Sequence, residues 1–321
     1  MVSPLLVLVG PTASGKSSLA LHLAQHFNGE IISCDSVAIY RDMEIGTAKP
    51  SHAERALVPH HLIDVVTPDQ PCTAGDYSRR ARESLTGITQ RSHLPIVAGG
   101  TGLYLRALID GLFPSPVTDP HLRTRLRARA ESHGSPPLHK LLTRLDPAAA
   151  QAIHPNDAPK LVRALEVSLA AKQPLTQQWE KGREALTGYR ILRLGLAPPR
   201  ALLYERINQR AAMMFDIGLV EETRSLIARY GPDCRPFTSL GYAEAAAILR
   251  NELTLEAAVT QAQQGHRNYA KRQGTWFRAE PNIHWLQGLG SEPDIAQQAI
   301  RFVSNHLSAS NEESASIRSD S

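Results

Sequence analysis

Gly10, Pro11, Thr12, Ala13, Ser14, Gly15, Lys16 and Ser17 satisfy G-x-x-x-x-G-K-[ST] at every fixed position. That spacing suits a polyphosphate. The glycines let the backbone curl until successive N–H groups point at one anion. Lys16 adds a point charge, and the Ser17 hydroxyl is placed to hold Mg²⁺. Two more reactive groups stand after short apolar runs: Asp35 follows EIISC at 30–34, and Thr101 follows PIVAGG at 95–100. In an open parallel sheet, side chains at the carboxyl ends of strands crowd around the ligand. The expected chemistry is therefore a di- or triphosphate site with a carboxylate and a hydroxyl beside it.

The elements that must position these groups follow from periodicity. Residues 5–9, LLVLV, are all apolar and predict a strand buried on both faces. Behind the loop, Leu19, Ala20, Leu23, Ala24 and Phe27 share one stripe, so a helix aims its N-terminus at the same anion. Further strands are expected at 30–34, 61–66 (HLIDVV), 95–98, 190–196 and 283–286, alternating with helices at 74–90, 201–215, 219–230 and 255–273. This pattern predicts an α/β fold, a P-loop-containing parallel sheet core flanked by helices. Residues 40–50 are polar and irregular and read as a long functional loop.

Three prolines within 111–120 mark a change of pattern. Helices are then expected at 121–131, 138–145, 147–153 and 157–171, with no strand among them. The expected organisation is a core domain of residues 1–113 and 191–307, an all-helical insertion at 114–190, and a Ser/Glu-rich disordered tail at 308–321.

Charge adds a partner class. Residues 114–191 hold 12 Lys/Arg against 7 Asp/Glu, whereas the whole chain has 35 against 31. A local basic excess on helices suits a phosphodiester backbone. The three cysteines are far apart with no C-x-x-C, so a reducing, cytoplasmic setting is expected, without disulfides or a zinc cluster. No apolar run approaches the roughly 20 residues of a membrane span. The opening MVSPLLVLVG has no basic stretch and runs straight into the phosphate loop, so it reads as structure rather than a signal peptide. No seam suggests an oligomer, and a monomer is expected.

An ordinary phosphate-loop ATPase needs an apolar strand ending in Asp for Mg²⁺. Here PIVAGGTG ends in glycines and a threonine, and Asp64 of HLIDVV lies inside its run. A small-molecule kinase using Asp35 as base stays open, as does a nucleic-acid-binding NTPase that clamps with its insertion. Transfer of another group from a diphosphate to a nucleic acid accommodates both the missing aspartate and the basic insertion.

Six stretches, in order, resemble one family: GPTASGKS at 10–17, DSVAIYRDMEIGTAKP at 35–50, GGTGLYLRAL at 99–108, DPHLR at 119–123, HPNDAPKLVRALEV at 154–167 and YAKRQGTWFR at 269–278. They are similar to the tRNA dimethylallyltransferases of bacterial type, over about residues 4–287. The resemblance implies that dimethylallyl diphosphate is the donor, tRNA the acceptor, Mg²⁺ the cofactor and N6 of adenosine 37 the target. It implies Asp35 as general base, with Lys16, the loop amides, Ser17-held Mg²⁺ and Thr101 stabilising the leaving diphosphate. It also assigns Arg210 to the diphosphate, with Arg206 as rival. By the same pattern, tRNA contacts fall on Asp35, Ser36, Val37, Ala38, Thr101, Arg123, Pro159, Lys160, Leu161, Val162, Arg163, Arg267, Lys271 and Arg272. Residues 237–242, FTSLGY, keep Gly-Tyr but lack the arginine and cysteine of some relatives, so no tRNA contact is expected there. Trp276 and Phe277 are expected in the core.

Overall fold

The structure is a computed structural model and describes residues 2–113, 119–180 and 182–319. Two of the three linker prolines, Pro114 and Pro116, and the last residues of the expected tail lie outside the described residues. The chain forms two compact units, Met1–Leu108 with Thr187–Ser321, and Ile109–Leu186.

The first unit begins with β1 (Ser3–Val9), α1 (Lys16–His26), β2 (Gly29–Cys34), α2 (His52–Leu57), β3 (His60–His61), α3 (Ala74–Gln90), β4 (Leu94–Gly99) and α4 (Gly102–Ile109). Leu5, Leu6, Val7, Leu8 and Val9 are at most 2% exposed, as a strand covered on both faces requires. Each such side chain contributes roughly 1.5–3 kcal/mol through burial. Leu6 and Leu8 join Leu19 and Leu23 of α1 on one face. The alternate residues turn to the other face, where α3 lies against β2 and β4 and buries Tyr77, Ala81, Leu85 and Ile88.

The expected strand at 61–66 is corrected. Only His60 and His61 pair with β2, and Val66 makes an isolated bridge to Tyr40. Leu62 (φ +62°) and Asp64 (φ +59°) adopt left-handed backbone, which no strand continues through. The turn is pinned by Asp64, whose carboxylate takes Lys49 at 2.6 Å and Arg55 at 2.5 Å.

Ile109–Leu186 is all helical: α5 (Pro120–His133), α6 (Pro136–Leu145), α7 (Pro147–Ala152), α8 (Ala158–Ala171) and α9 (Leu175–Glu180). Asp119, Asp146 and Asp157 cap α5, α7 and α8. Leu126, Leu138, Leu142, Ile153, Leu161 and Leu165 form its own core. The unit starts a few residues earlier than the prolines suggested, because 109–113 pack within it. The Leu186 N–H donates to Ile109 O at 2.7 Å, and Arg183 lies 4.4 Å over the Phe113 ring.

The first unit resumes with β5 (Tyr189–Leu196), α10 (Arg200–Asp216), α11 (Leu219–Tyr230), α12 (Tyr242–Leu249), α13 (Leu255–Arg278), β6 (Ile283–Leu286) and α14 (Pro293–Ser319). All six strands are parallel in the order β3-β2-β4-β1-β5-β6, with helices on both faces. In α14, helical backbone covers 308–319, where composition predicted disorder. After Pro293 the chain contains neither glycine nor proline to stop the helix. None of the described helices is long and apolar enough to cross a membrane.

At the amino ends of the strands, far along β2 from Asp35, Glu30 is buried. It accepts from Arg91 at 2.9 and 2.7 Å and meets His61 and His93 at 2.6 and 2.7 Å. Arg91, helped by the two imidazoles and opposed by burial, holds the Glu30 carboxyl at about 2. A carboxylate whose folded pKa is depressed stabilises the protein above its unfolded value and loses that contribution as pH falls through the folded one. Denaturant stability is therefore expected to drop between about pH 4.5 and 2, with that drop reduced in Glu30→Gln. At pH 7, Glu30→Gln is expected to cost about 1–3 kcal/mol.

Candidate diphosphate and proton-transfer site

The turn after β1 is built to hold an anion. Gly15 (φ +87°) caps α1 in the left-handed region, and a Cβ there would stand 2.8 Å from Gly290 N. Gly290 N–H in turn donates to Ser14 O at 2.9 Å. The segment after β6 therefore braces the loop from outside. From inside, Gln273 of α13 accepts from Thr12 N at 2.7 Å and donates to Gly100 O at 2.9 Å. One amide thus ties the phosphate loop to the glycine exit of β4.

A cavity of about 930 Å³ opens over this loop, within the first unit. Thr12, Ala13, Gly15, Lys16 and Ser17 line it, while Gly10, Pro11 and Ser14 lie behind as framework. Lys16 Nζ donates to Pro11 O at 2.7 Å. Burial, together with the Arg210 guanidinium, pulls the Lys16 ammonium down to about 7 despite the opposing pull of Asp35. Arg206 and Arg210 of α10 both line the cavity. Arg210 is the one that reaches the loop, donating to the Thr12 hydroxyl.

Asp35, Ser36, Val37 and Ala38 also line the cavity. Asp35 is the one carboxylate among the described lining residues, and it faces a set of cations that includes Lys16, Arg206 and Arg210. One of its oxygens accepts from Val37 N at 2.8 Å and Ala38 N at 3.1 Å, fixing the side chain in a turn just past β2. Thr101 does not line the cavity. Its hydroxyl accepts from Ser36 N at 3.1 Å and donates to Ser36 Oγ at 3.4 Å, so it braces the wall from behind. Tyr269 lines the cavity, its phenol pushed up to about 12, mainly by burial and then by Asp35.

The 35–50 loop is held rather than loose. Glu222 of α11 accepts from Ile45 N at 2.9 Å and from Tyr242 OH at 2.6 Å, and Gly46 packs directly on the Tyr242 ring. The Lys49 ammonium is buried against Tyr40 O, Glu44 and Asp64. Asp64 is thus committed to Lys49 and Arg55 and does not line the cavity. Among the described residues, no group of three or more His, Cys, Asp or Glu side chains is arranged for a metal. Ser17 lines the cavity next to Lys16, where its hydroxyl could contribute one oxygen to a cation that phosphate oxygens also hold.

The remaining expected contacts divide. Arg272 is exposed at the cavity, whereas Arg267 and Lys271 lie outside its lining, Arg267 bonding to Asn208 and Gln264. In the helical unit, Pro159, Lys160 and Arg163 are exposed on α8. The Leu161 and Val162 side chains, at 0% and 5% exposure, belong to the core of that unit. Arg123 of α5 and Arg163 share one buried carboxylate, Glu166, at 2.8 and 2.9 Å. Phe277 is core at 1% exposure, and Trp276 is half-buried with Arg106 stacked 4.4 Å over its ring. Tyr269 and Gln273 sat inside the YAKRQGTWFR stretch without being singled out. Nothing local to 290 marks its role, because the partner is nearly the whole chain away.

The IPP transferase family matches residues 38–280. The tRNA dimethylallyltransferase of Koribacter versatilis is 58% identical over 304 residues, 94% of this chain and 99% of that protein. That of Solibacter usitatus is 50% identical over 95% of this chain and 99% of its own length. Among solved structures, the full-length tRNA isopentenylpyrophosphate transferase of Bacillus halodurans is similar at a TM-score of 0.72 and 36% identity, covering 98% of this chain and 99% of that one. A eukaryotic dimethylallyltransferase described as acting on tRNA is similar at 0.79 and 26% identity, covering 94% of this chain and 80% of that one. With the family matched over most of its length and relatives this similar end to end, the chain belongs to the IPP transferase family.

Proposed function

We propose that this protein transfers a dimethylallyl group from dimethylallyl diphosphate to N6 of adenosine 37, next to the anticodon of tRNA. The observation that carries the reading is Asp35, the one carboxylate among the described lining residues, sharing one cavity with Lys16, Arg210 and the phosphate loop and acting electrostatically on both cations. The N6 lone pair is delocalised into the purine ring, so the amine attacks only if its proton has somewhere to go. Asp35 takes that proton as N6 bonds to the allylic carbon and the carbon–oxygen bond breaks. Lys16, Arg210 and the loop amides hold the negative charge that collects on the departing diphosphate. Mg²⁺ held by Ser17 would neutralise part of that charge when bound. Thr101 keeps the 35–38 wall in register.

The adenine must leave its stack to reach the cavity, at a cost of a few kcal/mol. Contacts along the anticodon arm offset this. Arg272 supplies a cation at the cavity, and Arg123, Lys160 and Arg163 supply cations on the helical unit. Glu166 holds two of these guanidinium groups together, which suits two neighbouring phosphates. Arg123→Ala is expected to weaken tRNA binding and to make the dependence of log affinity on log salt shallower by about one unit. An unchanged slope in a filter-binding titration would remove Arg123 from the backbone contacts.

The deciding experiment is mass spectrometry of tRNA nucleosides after incubation with donor, Mg²⁺ and the protein. Appearance of N6-dimethylallyladenosine is expected. Preferential ATP binding with phosphate release, and no modified nucleoside, would overturn the reading. The protein is expected to act as a monomer, which light scattering of the catalytically active sample would check.

A further inference from the structure

His266 lies on α13 and lines the cavity, yet neither ring nitrogen has a hydrogen-bond partner. It is 7% exposed, so bulk water does not serve it instead. A buried donor without an acceptor is costly and calls for an explanation. Its helix neighbour at the cavity, Gln273, is already engaged with Thr12 and Gly100. Across from it, α10 contributes Arg206, Gln209 and Arg210.

Which ligand atom would satisfy it follows from these surroundings. Burial and the nearby Arg210 keep the ring neutral, down at about 4, so it presents one N–H and one lone pair. The charged group that acts on it is a cation, and arginine offers no acceptor. A dimethylallyl tail has no acceptor either. An anionic oxygen beside Arg210 does.

We propose that the His266 imidazole donates a hydrogen bond to the diphosphate, on the side that Arg210 also reaches. The inference rests on the donor reading above and extends it, making α13 a direct diphosphate ligand as well as a brace.

Inorganic diphosphate with Mg²⁺, titrated calorimetrically into the full chain, tests this. His266→Ala is expected to weaken binding about 10- to 100-fold, the range for a hydrogen bond to a charged group. Asn and Gln at this position place an N–H near Nδ1 and Nε2 respectively, and one of them is expected to restore most of the affinity. In unaltered protein, the His266 ring nitrogen resonances are expected to shift on adding diphosphate. Affinity within twofold of wild type in His266→Ala overturns the proposal, and so do unmoved resonances in a diphosphate-saturated sample, even if the variants fail to fold. If the wild-type protein itself binds no diphosphate, the donor reading fails with it. If wild type and His266→Ala bind alike, only the histidine assignment does.

Discussion

Asp35→Asn is expected to cut prenyl transfer by about 10²–10⁴-fold, the range for removing a positioned general base. Asparagine keeps the size and a carbonyl oxygen for the Val37 and Ala38 N–H groups, so the turn past β2 survives. What is lost is the place for the N6 proton. Because Asp35 is the one carboxylate among the described cavity residues, no neighbour can take over. The measurement is single-turnover formation of the modified nucleoside at saturating tRNA and donor. A loss in rate with tRNA affinity retained supports the assignment. A fall in affinity alone, with the rate at saturation unchanged, would make Asp35 a docking residue only.

Lys16→Met is the second large effect. Lys16 sits half-buried at the N-terminal end of α1, and its ammonium donates to Pro11 O within the loop. Methionine fills similar space without charge, so the loop keeps its shape and loses its point cation. Removing a group that stabilises a developing anion costs about 10²–10³ in rate. Diphosphate binding should weaken as well, because the charge is present before and after bond breaking. Transfer rate and diphosphate affinity, measured on the same sample, are both expected to fall. If affinity falls and the rate at saturation does not, Lys16 acts on the ground state and transition state equally.

These two positions were legible in the sequence because each depends on a short, local pattern. LLVLV must be buried on both faces, the glycines must follow it, and Asp35 must follow the next buried run. The helical insertion was legible for a similar reason: its repeating apolar spacing never switches to a period of two. What escaped was conformational or distant. HLIDVV reads as a strand, yet Leu62 and Asp64 take left-handed backbone because Lys49 and Arg55 hold the Asp64 carboxylate. Neither partner is visible from within the run. Thr101 sits at a strand's carboxyl end as expected, but Tyr269 lines the cavity and Thr101 does not, a matter of which residues α13 presents. Leu161 and Val162 lie inside a matched stretch, and only the burial pattern of α8 separates them from Lys160 and Arg163. His266 stands outside every matched stretch, and its empty hydrogen-bonding positions appear only once the helices are packed.

The brace between Gly290 and Ser14 has a consequence for how the protein comes into being. The phosphate loop emerges during synthesis long before the backbone that supports it from outside. A ribosome-bound chain arrested before residue 290 would carry the loop's residues without its finished geometry. On the proposed reading, donor capture is expected to wait until that backbone has emerged, and partial chains ending before it are expected to be poor competitors for the donor.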